Sequence, residues 1–434
     1  MGDTIFAQAT AAGRAGVAII RVSGPAALTA AKSLAGELGP PRQAGLRRLR
    51  DPGTGETLDQ ALVVAYPAPG SFTGEDVVEF QVHGSPAVCR SLLAVLGGME
   101  GLRVAEPGEF TRRALLNGRL DLPQVEGLGD LLAAETAAQQ RQALRLMDGA
   151  ISGLAAGWRE ELVRCLAHVE ASIDFADEEL PEDILRFVGG TLGSVRAAMR
   201  AELDGALIAE RLRDGFEVAL VGRPNVGKST LLNALARREA ALTSAVAGTT
   251  RDVLEVRMDL AGMPVTLLDM AGLRAGGGRV ESLGIARARD RATRADVRVF
   301  LVNEPREVEG LGVSREAEDL LVLAKGDLRP RGDLPAVSGL TGQGVDQLLR
   351  SLTAVLEARV AGAGTASHRR QREAIALAVQ RVEAAGAEMR AVEPRVELVA
   401  EELRAALRAL DFLVGAVDVE AVLDVVFQSF CLGK

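Results

Sequence analysis

The sequence predicts a multidomain protein that combines α/β and all-α parts. Three observations predict this fold class. Residues 1–118 mix short β-type runs with helices, and residues 119–212 and 363–434 repeat apolar residues at the three- and four-residue steps of amphipathic helices. Between them, "EVALVGRPNVGKSTLLNAL" (217–235) predicts a strand, a glycine-cornered loop and the start of a helix. The 434 residues suffice for two or three separate cores.

Composition excludes several classes of function. The net charge of −9 argues against a wide nucleic-acid-binding surface, so any such contact would use a local patch or a partner protein. The three cysteines are scattered without a CxxC pair, which argues against a disulfide framework and a zinc site and favours a reducing compartment. The opening "MGDTIFAQAT" has no signal-peptide pattern, and no apolar run approaches the roughly 18–20 residues of a membrane span. We therefore expect a cytoplasmic protein.

The first 118 residues predict a compact α/β domain. "GVAIIRVSG", "ALVVAYP" and "DVVEFQVHG" are typical of buried strands, and the turn-rich "APGSFTGE" separates the last two. "PAALTAAKSLAGEL" predicts a helix that opens at Pro25.

The two helical stretches predict one discontinuous domain. "WREELVRCLAHVEASI" and "VAEELRAALRALDFLV" carry apolar stripes that neither stretch could cover alone. Packed together they could bury each other, so we expect residues 119–212 and 363–434 to form one helical domain, with residues 213–362 inserted between them.

The inserted segment contains a phosphate-binding loop. "GRPNVGKS" fits the pattern GxxxxGK[ST] from Gly222 to Ser229. Its glycines allow inward-facing N–H groups, Lys228 can reach the β- and γ-phosphates, and Ser229 can ligate Mg²⁺. The helix that follows points its positive end at the anion.

The downstream series indicates a GTPase. Thr249 and Thr250 of "AGTTRD" can supply a hydroxyl to Mg²⁺. A hairpin is then predicted to turn at Ala261-Gly262-Met263, and its second strand ends in "DMAG", Asp269 to Gly272. An Asp at that point can hold Mg²⁺ through water, and the glycine N–H can sense the γ-phosphate.

A weaker motif predicts guanine recognition. "AKGD" (324–327) stands where NKxD is expected. Asp327 can accept hydrogen bonds from guanine, and the stem of Lys325 can cover the base, but Ala324 cannot replace an amide, so we expect guanine preference with reduced affinity. "AVSGLTGQG" (336–344), starting at Ser338, is similar to the last base-contacting loop, and a helix is expected near Val345.

Hydrolysis requires a group that orients water. Leu273 stands where a glutamine would do this, so Glu281 in the glycine-rich segment is one candidate. The alternative for Glu281 is an acidic residue that stabilises a helix N-terminus. No arginine finger is evident, but the Asn225 carbonyl with backbone carbonyls of the 244–249 loop could hold a monovalent cation beside the phosphates.

From end to end, the chain resembles the MnmE (TrmE) family of tRNA-modification GTPases. The resemblance rests on "TIFAQAT", "AGVAIIRVSG", "SFTGEDVVEFQVHG", "PGEFTRRALLNGRLDLPQVE", "GRPNVGKS", "AGTTRDV", "GLRAGGGRVESLGIARA" and the terminal "FCLGK". It implies a folate-binding-like α/β N-domain that makes a homodimer, a discontinuous helical domain ending in the CLGK tail, and an inserted Ras-like P-loop GTPase domain.

The resemblance also implies specific sites. Folate contacts fall on Arg21, Glu79, Arg119 (where the family usually has Lys) and Lys434, with Cys431 near the reacting carbon. Mg²⁺ falls on Ser229 and Thr250, K⁺ falls on Asn225, Ser244, Val246 and Thr249, and Glu281 matches the water-orienting acid. The predicted GTP-binding residues are Asn225, Val226, Gly227, Lys228, Ser229, Thr230, Ser244, Ala245, Val246, Ala247, Gly248, Thr249, Thr250, Asp269, Met270, Ala271, Gly272, Lys325, Asp327 and Ser338.

The implied activity is one half of a wobble-uridine (U34) modifying enzyme. The family uses 5-formyl- or 5,10-methylene-tetrahydrofolate and works with the flavin- and NADH-dependent partner MnmG (GidA), adding an aminomethyl-type group at C5 of uridine in certain tRNAs. Contact with tRNA would then lie largely on the partner. Two alternatives remain: a ribosome-assembly GTPase, which should carry a basic RNA-binding module, and a nucleotide-dependent scaffold with weak hydrolysis, which Ala324 motivates.

Overall fold

The structure, a computed structural model, describes residues 3–174, 182–238, 254–269, 289–329 and 332–417, together with Phe427 and Gly433. The chain divides into two compact units, Met1–Gly129 with Leu410–Lys434 and Asp130–Ala409. Across the described ranges, every helix is too short or too polar to span a lipid bilayer.

The first unit is built on a six-stranded mixed sheet. Its strands are β1 (Thr4–Gln8), β2 (Val17–Ser23), β3 (Gly45–Arg50), β4 (Thr57–Tyr66), β5 (Val77–His83) and β6 (Leu102–Val104). They lie in the order β3-β4-β5-β2-β1-β6, in which β1 and β6 are parallel and the other neighbours are antiparallel. The helices of this unit are α1 (Ala27–Ala35), α2 (Pro86–Gly97) and α3 (Glu109–Leu116), and α4 (Leu122–Ala133) begins in it.

The two faces of this sheet differ in burial. Alternate residues such as Ile20 and Phe80 are fully buried in a core shared with α1 and α2. Helix α1 begins at Ala27, two residues later than the predicted opening at Pro25, because Ala26 occupies the cap position. On the opposite face, the cross-strand partners Leu46 and Leu62 are 57% and 40% exposed, so this side of the sheet carries uncovered apolar surface.

The second unit contains a mostly parallel sheet. Its strands are β7 (Phe216–Val221), β8 (Leu254–Leu260), β9 (Met263–Asp269), β10 (Val297–Val302), β11 (Leu320–Ala324) and β12 (Ala336–Val337), in the order β12-β11-β10-β7-β9-β8. Only β8 runs antiparallel to its neighbour, and the hairpin turns at Ala261 and Gly262, where it was predicted. The helices of this second unit are α5 (Ala137–Met147), α6 (Ala150–Asp174), α7 (Glu182–Asp214), α8 (Lys228–Arg238), α9 (Val345–Val360) and α10 (Arg369–Met389), and α11 (Val396–Val414) begins in it.

Helix α7 packs against α5, α6 and α10. Since α5 and α6 precede the inserted segment and α10 follows it, this packing joins helices from both sides of that segment. Buried residues such as Met199 on α7 and Val382 on α10 continue the apolar stripes seen in the sequence. The predicted fold class is therefore confirmed: the chain contains two sheets that are each packed against helices, together with a set of mutually packed helices. The helix predicted near Val345 is also confirmed.

Helix α5 docks on the β8–β9 turn. The Ala138 N–H donates to the Gly262 carbonyl at 2.9 Å, and the Ala138 side chain joins the core of the second sheet. The Gln142 side-chain amide donates to the Ala209 carbonyl of α7 at 2.9 Å. The start of α5 thus contacts both the hairpin and the helix that leads into β7.

The segment that returns from the sheet to α10 is held against α7. The Gly364 N–H donates to the Gly205 carbonyl at 2.9 Å, an approach so close that a Cβ on Gly205 would lie 2.4 Å from the Gly364 nitrogen. The Glu202 carboxylate accepts hydrogen bonds from the N–H groups of Thr365 and Ala366. The segment that returns from the inserted sheet therefore lies against α7, the same helix that leads into that sheet.

Candidate nucleotide and folate sites

The phosphate-binding loop joins β7 to α8 at the carboxyl end of the sheet. Asn225 adopts a left-handed backbone conformation with φ 59°, as the sharp turn requires. Gly222 lies where a Cβ would be only 2.3 Å from the Leu301 carbonyl oxygen of β10, so only glycine fits. Val226 anchors the loop by packing its side chain into the sheet's core. The loop is thus shaped by local backbone requirements and by the neighbouring strand.

Lys228 lies inside this loop. Its ammonium donates to the carbonyls of Gly222 at 2.7 Å and Arg223 at 2.9 Å, and the residue is 4% exposed. Burial lowers the pKa of Lys228, and the nearby charge of Asp269 opposes that shift. Nucleotide phosphates would offer this ammonium stronger, charged acceptors than the two carbonyls.

Ser229, in the first turn of α8, contacts Asp269 at the end of β9. Asp269 ends β9 and is paired in register with Leu220 of β7, and its side chain is fully buried. The Ser229 hydroxyl donates to the Asp269 carboxylate at 2.5 Å. Hard oxygen donors of this kind fit Mg²⁺, which completes its shell with water and phosphate oxygens. Within the described ranges, no group of three or more His, Cys, Asp or Glu could hold a metal by itself.

The predicted base-reading residues follow the next strands at the same edge. Lys325 has φ 56° and begins a short 3-10 turn, Gly326–Leu328, which contains Asp327. Ser338 follows β12, is 2% exposed and accepts a hydrogen bond from the Thr341 N–H at 3.2 Å. The parallel register therefore brings the loop, Asp269, Lys325, Asp327 and Ser338 to one edge of one sheet.

Several predicted residues lie outside the described residues. These are the 244–250 segment (Ser244, Ala245, Val246, Ala247, Gly248, Thr249 and Thr250), the end of the DMAG motif (Met270, Ala271 and Gly272), Glu281, Cys431 and Lys434. Their assignments stay predictions.

In the first unit, Arg21 and Glu79 form a cross-strand ion pair. They are register partners on β2 and β5, and Nη2 of Arg21 lies 2.8 Å from Oε1 of Glu79. The guanidinium lies 5.6 Å from the ring centroids of both Phe72 and Phe110. Arg119 is exposed and lies against the loop at Gly74, so close that a Cβ there would be 3.2 Å from its Cγ. Arg21 and Glu79 therefore lie on the sheet, and Arg119, which follows α3, lies against the loop at Gly74.

Next to this loop is a charged network that the sequence did not predict. Glu109 on α3 accepts hydrogen bonds from Arg103 and Arg113, and both arginines also pair with Asp3. Burial opposes ionisation of Glu109, but hydrogen bonds from Arg103, from the Glu106 N–H and from Arg113 outweigh it and lower its pKa. Only the spacing of Glu109 and Arg113, one helical turn apart, was visible in the sequence.

The comparisons with known families cover almost the whole chain. Residues 4–119 match the family profile described as GTP-binding protein TrmE N-terminus. Residues 122–431 match the profile described as MnmE helical domain.

Full-length relatives are closely similar to this chain. A protein of Ruegeria pomeroyi named tRNA modification GTPase MnmE is 55% identical over 432 residues, covering 100% of both chains. A protein of the same name from Cereibacter sphaeroides is 54% identical over 432 residues with the same coverage.

Two solved structures are similar to only part of this chain. The FeoB G-domain of Methanococcus jannaschii is 22% identical, covers 33% of this chain and 97% of its own, and has a TM-score of 0.24. Era from Aquifex aeolicus is also 22% identical, covers 32% of this chain and 56% of its own, and has a TM-score of 0.24. Likenesses at this level carry no argument about function. The two profiles and the full-length identities do: the chain belongs to the MnmE family of tRNA modification GTPases.

Proposed function

We propose that this protein hydrolyses GTP as part of a tRNA modification reaction in the cytoplasm. The observation that carries the proposal is the assembly of Lys228, Ser229, Asp269, Asp327 and Ser338 at one edge of the second sheet. The buried ammonium of Lys228 suits phosphates, and the paired hydroxyl of Ser229 and carboxylate of Asp269 suit Mg²⁺. The exposed carboxylate of Asp327 suits a guanine base.

Hydrolysis in this site needs charge compensation and an oriented water. Ser229 and Thr250 would hold Mg²⁺, and Asn225, Ser244, Val246 and Thr249 would hold K⁺ beside the β- and γ-phosphates. The cations supply fixed positive charge where negative charge develops. Glu281 would orient the attacking water, directly or through a second water. The position of Asn225 within the phosphate loop itself supports its role as a cation ligand.

The tRNA reaction would use the first unit. We propose that Arg21, Glu79, Arg119 and Lys434 bind 5-formyl- or 5,10-methylene-tetrahydrofolate. The Arg21–Glu79 pair beside the partly exposed Phe72 supports this, because a pteridine ring offers N–H donors to a carboxylate and a flat face to an aromatic ring. The one-carbon group would go to C5 of the wobble uridine, with MnmG (GidA) as the flavoprotein partner and much of the tRNA contact on that partner.

We further propose a homodimer through the first unit. The uncovered Leu46 and Leu62 on the outer face of the sheet support this, since exposed apolar side chains on a sheet face are typical of an interaction surface. Sedimentation of the wild type and of Leu46→Lys tests it, and the variant should shift toward monomer.

The decisive test of GTP hydrolysis is turnover in K⁺ and in Na⁺. Wild-type protein should turn over faster in K⁺, and Glu281→Ala should lower turnover by roughly 10²- to 10⁴-fold while leaving nucleotide binding largely intact. Glu309→Ala, an exposed acid in the same unit, is the matched control. Equal and negligible rates in both salts would favour the scaffold alternative, and normal turnover in Glu281→Ala would remove that residue from the mechanism.

Folate binding and tRNA modification have their own tests. Arg21→Ala should weaken titration with 5-formyl-tetrahydrofolate without changing GTP turnover, and the exposed Arg90→Ala should change neither. An unchanged folate titration would refute the site. Nucleoside analysis of tRNA from cells that lack this protein should show loss of the C5 modification at the wobble uridine, and intact nucleosides would refute that substrate.

A further inference from the structure

The predicted guanine-reading motif lacks one donor. Ala324 ends β11 at the position where the family pattern NKxD has asparagine, and its methyl group is 1% exposed in the core of the second sheet. Asp327 can accept hydrogen bonds from the N1–H and N2–H₂ groups of guanine, but a carboxylate cannot donate to the neighbouring acceptors O6 and N7. The acceptors O6 and N7 of a bound guanine therefore lack the side-chain donor that an asparagine would supply.

Arg329 lies against the backbone of this same position. The 3-10 turn that contains Asp327 ends at Leu328, and the Arg329 N–H donates to the Gly326 carbonyl at 3.2 Å. Its side chain then folds back, so that Nε donates to the Ala324 carbonyl oxygen at 2.8 Å. This hydrogen bond brings the guanidinium to the end of β11, at the carboxyl edge of the sheet. Lys325 is the next residue after β11.

The guanidinium has spare hydrogen-bonding capacity. Among the residues that the structure describes, Nε donates to Ala324 while Nη1 and Nη2 have neither a hydrogen-bond acceptor nor a carboxylate partner. Arg298 in the same sheet is a useful contrast, because it is 3% exposed and pairs with both Asp319 and Glu316. A buried arginine of this unit can thus be fully paired, whereas Arg329 has two amino groups without a partner among the described residues.

The available amino groups match the chemistry of guanine. A planar guanidinium donates two parallel hydrogen bonds to O6 and N7 of guanine, the commonest specific arginine–base contact. Adenine carries an N6–H₂ donor where guanine has O6, so the same guanidinium would oppose adenine. Asp327 could therefore read the N1–H and N2–H₂ donors of one base while Arg329 reads its O6 and N7 acceptors.

We propose that Arg329 is a specificity-determining residue that donates to O6 and N7 of guanine and so replaces the missing asparagine at position 324. This inference rests on the proposed GTP binding of the chain and names the residue that makes it guanine-specific. The alternative is a purely structural role, called a brace below, in which Arg329 only donates a hydrogen bond to the Ala324 carbonyl and never contacts the base.

The test compares full-length variants by equilibrium binding of three nucleotides. Arg329→Ala should weaken GTP binding by roughly 5- to 150-fold, the range expected for a good bidentate arginine–guanine pair. The control Arg350→Ala removes an exposed arginine of the same unit and should bind GTP like the wild type. With 7-deaza-GTP, which lacks the N7 acceptor, the penalty of Arg329→Ala should shrink several-fold. Selectivity for GTP over ATP should fall in Arg329→Ala alone.

Two outcomes overturn the proposal. GTP affinity of Arg329→Ala equal to that of Arg350→Ala excludes contact with the base, and a penalty of the same size for GTP and 7-deaza-GTP assigns Arg329 to the brace. Arg329→Lys keeps a positive charge but has only one donor nitrogen, so it should lose less affinity than Arg329→Ala and gives a second variant if the alanine variant unfolds. In an Ala324→Asn background, Arg329→Ala should cost less than in the wild type. If the wild type binds no GTP at all, the proposed function fails instead.

Discussion

Gln139 ties the start of α5 to the helix that leads into the second sheet. Its side-chain oxygen accepts hydrogen bonds from the N–H groups of Glu135 at 3.0 Å and Thr136 at 3.1 Å, which completes the capping box of α5. Its amide nitrogen donates to the Arg213 carbonyl at 2.7 Å, in the last turn of α7. One side chain therefore satisfies three backbone groups at the junction between the helices and the inserted segment.

The cost of Gln139→Ala follows from these bonds. Loss of half the capping box costs about 1 kcal/mol, the usual value of a helix cap. The Arg213 carbonyl belongs to a helix C-terminus that has no further intrahelical donor, and stranding a partly buried acceptor costs about 1–3 kcal/mol. The local free energy of opening should therefore fall by about 2–4 kcal/mol.

Amide hydrogen exchange measures this opening segment by segment. In Gln139→Ala, amides of α5 and of the β8–β9 turn should exchange roughly 30- to 700-fold faster, since 1.4 kcal/mol corresponds to a factor of ten. Gln140→Ala is the matched control, because Gln140 is exposed on the same helix and has no hydrogen bond from its side chain in the described structure. Protection equal to that of the control would refute the view that Gln139 holds this junction.

Three further outcomes are expected. Gly344→Ala should destabilise the second unit by about 3 kcal/mol or more on denaturant unfolding, because φ is 75° and a Cβ would lie 2.1 Å from the Ala336 carbonyl oxygen. Gly101→Ala, with φ 79° and open space, should cost only about 1–2 kcal/mol, and equal losses would contradict the argument. Burial raises the pKa of Cys165 to about 11, so native alkylation at pH 8 followed by peptide mapping should leave this residue unlabelled until urea is added, and rapid native labelling would contradict its burial. The pKa of Glu109 is lowered in the folded state, so its stabilisation is present above about pH 4.3 and is lost as the pH falls through the lowered value. Glu109→Gln should therefore lower the unfolding temperature at pH 7 and reduce its dependence on pH between about 5 and 2, and an unchanged acid profile would show that the network is not stabilising.

Local chemistry let the sequence determine much of the nucleotide site. The phosphate loop needs glycine at Gly222 and an ammonium at Lys228 for reasons that a few consecutive residues express, and the left-handed turn at Asn225 and the hairpin at Gly262 follow from short-range backbone preferences. Apolar periodicity likewise predicted the helices, because a helix that buries one face has apolar residues at three- and four-residue steps along the sequence. The family resemblance rests on the same kind of contiguous segments.

Tertiary structure alone decided the contacts between distant segments. Arg21 and Glu79 are 58 positions apart, and only the β2–β5 register makes them an ion pair. Arg329 lies five positions from Ala324, yet no pattern signals its hydrogen bond to that carbonyl, which depends on how the 3-10 turn folds back. Such contacts are set by strand order, register and loop closure, and these are properties of the packed chain rather than of residue spacing.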